Sequence, residues 1–101
     1  MLDIFKTINN EIVRVDTFEE GSWINLVNPT EEEINSVNSA LNVEIDYLRA
    51  ALDEEERARI ESDKGQTLII VDIPIVEREG KMNVYTTIPL AIILIKHIII
   101  T

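Results

Sequence analysis

The chain has 101 residues, 28% charged and 46% hydrophobic, with no cysteine and a formal net charge of -10. That length suits one domain able to bury a core without covalent staples, and the lack of cysteine excludes a disulfide framework, a thiolate zinc site and a cysteine nucleophile. The acidic balance argues against nucleic acid and anionic lipid as partners and leaves room for divalent cations.

From the start, Met1 to Lys6 lacks the apolar run of a signal peptide. Residues 2–8 and 11–15 are predicted as short strands joined at the turn-prone pair Asn9-Asn10. Phe18 to Ser22 is a polar connection. A third strand, Trp23 to Val27, puts Trp23, Asn25 and Val27 on one side and Ile24 and Leu26 on the other. Trp23 is expected to anchor the core beside the first helix.

Asn28-Pro29-Thr30 ends that strand. Thr30 and Glu33 have capping-box spacing, with Glu31 and Glu32 in the first turn where the helix dipole favours anions. The helix is expected to run to about Leu41, burying Ile34, Val37, Ala40 and Leu41. After a turn at Asn42, a second helix is predicted over 44–52, with Ile45, Leu48, Ala51 and Leu52 inward.

Dense charge from Asp53 to Glu61 ends that helix. A strand from near Arg57 turns at 62–66 and pairs with Thr67 to Ile73, which is apolar on both faces and so belongs centrally in a sheet. Pro74 is expected either to bend it or to put the residues that follow at an edge. Ile75–Glu79 and Asn83–Ile88 form another hairpin about Gly80-Lys81. Pro89 interrupts, and Leu90–Ile95 and Ile98–Ile100 are two further strands. The apolar run from Ile88 to Ile100 is broken by Pro89, Lys96 and His97 and falls short of the ~20 residues of a membrane helix. The predicted fold is α+β, a mixed, largely antiparallel sheet with two consecutive helices packed on it.

Catalytic signals are weak. The three glycines are far apart, so no phosphate-binding loop is present, and the serines have no nucleophile context. Asp72, on an apolar strand, is a carboxylate that burial would perturb. His97, the one histidine, reads as a turn or core residue. No enzymatic activity is expected.

The densest set of hard oxygen donors is Asp53 to Glu56, from which Asp53, Glu54 and Glu56 are the candidate metal ligands. Successive side chains on a helix point about 100° apart, so one chain offers one or two ligands and a neighbouring chain or water supplies the rest. The competing reading is a solvated helix end, partly neutralised by Arg57 and Arg59.

Trp23 to Thr30 followed by Glu31-Glu32-Glu33-Ile34 resembles the start of the cytoplasmic domain of CorA-type magnesium transporters. Leu48–Leu52 with Asp53–Glu61 is similar to that family's "aLD-x-x-E-x-x-R-x-E" segment, and Leu68–Pro74, Thr86–Leu90 and Ile92–Leu94 to its later strands. The family's Gly-Met-Asn signature is absent; Lys81-Met82-Asn83 copies only its last two letters. Where some members carry a regulatory aspartate, Ala50 stands, with Asp53 the nearest acid one turn on. The resemblance implies that residues 1–101 are a single N-terminal cytoplasmic domain ending before the stalk and membrane helices. It further implies a pentameric Mg2+ transporter with Co2+ or Ni2+ as passengers. On this reading metal binds between subunits to hold the assembly closed, Mg2+ acts as a weak regulatory ligand, and none is required for folding. The expected partners are copies of the chain itself and divalent cations. The alternative is a soluble interaction module that pairs through an exposed edge at Ile92–Ile100.

Overall fold

The computed structural model describes residues 1–101. Strands β1 (Leu2–Ile8) and β2 (Glu11–Val15) form a hairpin turned at Asn9-Asn10, both at positive φ, where asparagine is better tolerated than most residues. β3 (Ser22–Leu26) returns antiparallel to β1. Helices α1 (Glu31–Leu41) and α2 (Ile45–Arg49) follow, and a 3-10 turn, Ala50–Leu52, continues the second. β4 (Arg59–Asp63), β5 (Gln66–Glu79), β6 (Met82–Ile95) and β7 (Ile98–Ile100) complete a seven-stranded sheet of order β2-β1-β3-β7-β6-β5-β4. Every pairing is antiparallel except β3 with β7, so the sheet is mixed and largely antiparallel, as expected.

The core is a row that crosses five strands. Ile4 pairs with Ile24, Ile24 with Ile100, Ile100 with Ile93, and Ile93 with Leu68. Paired residues share a face of the sheet, and all five are buried. Ile34 and Val37 of α1, Val43 and Leu48 belong to the same cluster. Full burial of each such side chain is worth about 1.5–3 kcal/mol.

Trp23 takes the opposite face. It is 40% exposed while its neighbour Ile24 is fully buried. The expectation that Trp23 anchors the core is therefore wrong: strand alternation separates the two faces but does not say which is inward, and here the isoleucine face is.

The capping box forms. Thr30 Oγ1 accepts from the Glu33 N–H at 3.1 Å, and Glu33 Oε1 accepts from the Thr30 N–H at 2.9 Å. Asn42 closes α1 in the left-handed region, its N–H donating to the Asn38 carbonyl. Beyond this cap Val43 is buried, while Ala40, expected inward, is exposed. The second helix tightens to 3-10 geometry after Arg49. Three residues per turn instead of 3.6 rotate the remaining side chains. Ala50 is thereby buried and Leu52, expected inward, is half-exposed.

The prolines do not break the strands. β5 and β6 each run 14 residues in continuous register, with Asp72 opposite Pro89 and Pro74 opposite Thr87. These pairs sit two residues apart, so both proline nitrogens point to the same kind of position, away from the partner strand where no ladder bond is lost. β4 ends its pairing at Ile70 and β7 at Ile93, so the rest of the hairpin extends as a two-stranded ribbon whose outer edges tolerate proline.

Candidate functional site

The acidic segment leaves the 3-10 turn at its C-terminal end. Asp53 caps the turn: its N–H reaches the Ala50 carbonyl at 3.4 Å and its Oδ1 accepts from the Glu55 N–H at 3.0 Å. Its second oxygen and the exposed Glu54 carboxylate make no ion pair or hydrogen bond. Glu56 is engaged by Arg59, which also reaches Glu61 at 3.1 Å. No three Asp, Glu or His side chains of the chain converge on a point that could hold a metal. The donor set suits a hard, hydrated cation such as Mg2+, which keeps several waters and takes one or two carboxylates. Asp53 and Glu54 are the free donors, and Glu56 would first have to leave Arg59. Ala50 is buried beside β6, so a carboxylate at that position would be desolvated and would not face a neighbour.

Tyr47 lies close to this segment. Burial pushes its phenol above the ordinary value of 10.0, and the carboxylates of Glu61, Asp63 and Glu44 add to the effect, with Arg59 opposing. Asp72, considered as a buried carboxylate, is exposed. His97 stands in the β6–β7 turn, where its carbonyl accepts from the Gly21 N–H at 2.7 Å.

The sheet's second face is the larger feature, and sequence reasoning caught only part of it. Both helices pack on the side of the isoleucine row. On the other side the adjacent row runs Phe5–Trp23–Ile99–Leu94, each paired to the next. Ile99 is 46% and Leu94 38% exposed. Trp23 is held by the Phe5 ring, with centroids 5.1 Å apart, and donates its indole N–H to Thr101 Oγ1 at 2.8 Å. Ile92 and Ile69, which pair with one another, continue this face toward Ile60 of β4. Antiparallel sheets that meet water on one side alternate apolar with polar residues; Leu68–Val71 of β5 and Leu90–Ile95 of β6 are apolar on both. The signal was the run Leu68-Ile69-Ile70-Val71, apolar on both faces of its strand.

The C-terminal strands do not form a free edge. β7 lies between β3 and β6, so the residues expected to pair with another chain are already paired within the sheet. What they expose is a face, not an edge.

Two solved structures share the fold. The complete CorA magnesium transporter of Methanocaldococcus jannaschii superposes with a TM-score of 0.78 at 24% identity, covering 100% of this chain and 31% of that one. The soluble domain of CorA from the same organism gives a TM-score of 0.79 at 23% identity, covering 100% and 39%. The chain thus spans about a third of the length of these structures. No curated protein matches it. The model of the CorA-like Mg2+ transporter protein family matches residues 18–101, which include β3, both helices and all the later strands. No helix of the chain is long and apolar enough to cross a membrane. The chain belongs to the CorA-like Mg2+ transporter family.

Proposed function

We propose that the chain serves as a regulatory and structural domain on the cytoplasmic side of a longer CorA-like Mg2+ transporter, and conducts no ions itself. The observation that carries this reading is an apolar row, Phe5–Trp23–Ile99–Leu94, with Ile92 and Ile69 beside it, on the face of the sheet that no helix covers, in a chain of this family. Such a sheet is built to have further polypeptide of the same transporter laid over its open side. Pentameric assembly with other copies follows from the family resemblance.

Divalent sensing is the second part of the proposal. Asp53 and Glu54 of one subunit, with Glu56 released from Arg59, supply part of a hydrated site that a neighbouring subunit completes. Carboxylates facing one another across a boundary repel, and an ion between them favours the closed arrangement by its differential affinity. Mg2+ as a weak ligand suits a sensor, which must release its ion when the cytoplasmic concentration falls.

Thermal melts in MgCl2 against NaCl of matched ionic strength test the sensing role. A higher midpoint in MgCl2, abolished in Asp53→Ala/Glu54→Ala, is expected. Superimposed melting curves for the unaltered chain would remove the sensing role and leave family membership intact. The interaction module that pairs through the edge of Ile92–Ile100 loses its basis, because that edge is occupied by β3.

A further inference from the structure

At the end of the sheet where the β4–β5 and β6–β7 turns meet the C-terminus of α1, the surface encloses a concavity of about 460 Å³. Lys64, Lys96, His97, Phe18, Leu41 and Glu20 are among its lining residues. The chain carries nine basic residues against nineteen acids, and four of those nine are held in ion pairs. Lys64 and Lys96 are not. Two unpaired cations on one concavity run against the charge of the whole molecule.

Their backbone is equally out of pattern. Six residues other than glycine have positive φ, and four of them are asparagines, which tolerate the left-handed region. The other two are Lys64, at 50°, and Lys96, at 41°. Glycine or asparagine would suit both turns better. A residue kept in an unfavourable conformation points to a use for its side chain, and these two side chains share one concavity.

We infer that this concavity binds a phosphorylated small molecule, its phosphate between Lys64 and Lys96 and its organic body against Phe18 and Leu41. The volume lies within the range of small-molecule sites and exceeds what a bare phosphate fills. Lysine is a strong phosphate donor through its compact charge. The Glu20 carboxylate opposes an anion, but two lysine charges outnumber it. The Asn42 carbonyl at the end of α1 is taken up by Gln66 Nε2 at 2.8 Å, so it does not face the ligand as a free acceptor. This inference is independent of divalent sensing, since Asp53 and Glu54 do not line the concavity.

Calorimetric titration of the full chain with AMP, adenosine and inorganic phosphate tests it. AMP is expected to bind at least tenfold more tightly than either part alone. In Lys64→Gly/Lys96→Gly that binding is expected to fall at least tenfold while the thermal midpoint holds or rises, because glycine accepts both turns. Lysines that merely complement the end of α1 would instead give a lower midpoint and unchanged AMP affinity, which overturns the inference. Adenosine binding as tightly as AMP, or no AMP binding at all, overturns it too. Lys64→Asn/Lys96→Asn keeps the turns and the fold by a second route; retained AMP binding in that variant is equally fatal.

Discussion

The indole of Trp23 and the hydroxyl of Thr101 are joined by a hydrogen bond of 2.8 Å that spans 78 positions of sequence. Thr101 passes the chain of bonds on to Asn25 Oδ1 at 3.0 Å, and its N–H donates to the Ile24 carbonyl. These contacts extend the short parallel ladder of β3 and β7, which is the sheet's one link between the β2-β1-β3 half and the β6-β5-β4 half. Ile100 sits on that link and is buried. Ile100→Ala is expected to cost about 2–5 kcal/mol in chemical denaturation, and Ile100→Asp to abolish cooperative unfolding.

The Glu33 carboxylate makes stability depend on acid. The Thr30 N–H holds its pKa below the ordinary 4.5, and the chain's N-terminal amine adds to this at 3.1 Å. A carboxyl with a lowered folded value contributes stability that is fully present above 4.5 and is lost as pH falls through the folded value. The melting midpoint of the unaltered chain should therefore exceed that of Glu33→Gln at pH 7, and the two should converge as pH falls through the folded value. Thr30→Ala removes the cap itself and should cost about 1 kcal/mol at either pH.

Ala50 stands where the family resemblance suggests an aspartate, and it is buried. Restoring an acid by Ala50→Asp places a carboxylate in the core beside β6, without a partner. A loss of about 3 kcal/mol or more is expected, with no added stabilisation by Mg2+. Denaturant titrations with and without MgCl2 check both.

The open sheet face should make the free chain self-associate. Sedimentation velocity across a concentration series is expected to show assembly that Leu94→Lys/Ile99→Lys prevents. Both positions are partly exposed, so the double variant should still fold, and a dye that binds apolar surface should fluoresce less with it.

The sequence made some of this plain and hid the rest for identifiable reasons. Thr30 and Glu33 could be read because a capping box is local: both partners lie within four residues. The Asn9-Asn10 hairpin is local in the same way. Trp23 was misplaced because alternation is symmetric, and only the register Ile4–Ile24–Ile100 decides which face is inward. Pro74 marks an edge, one of the two outcomes its position suggests, whereas Pro89 does not interrupt β6, because the strand there is not central. β4 and β7 are too short to reach them, and the length at which each of these neighbouring strands stops has no local signal as sharp as a turn. The acids Asp53, Glu54 and Glu56 are visible as composition, but composition does not say that Glu54 is free, that Asp53 gives one oxygen to the Glu55 N–H and that Glu56 is held by Arg59.

The bridging position of β7 also bears on how the protein is made. Residues 2–26 leave the ribosome first, yet their half of the sheet waits for residues 98–101 before it can close. At about 5–20 residues per second that delay is roughly 4–15 s. Through it Ile4, Ile24 and Trp23 stay open to solvent on a nascent hairpin, long enough for a chaperone to find them.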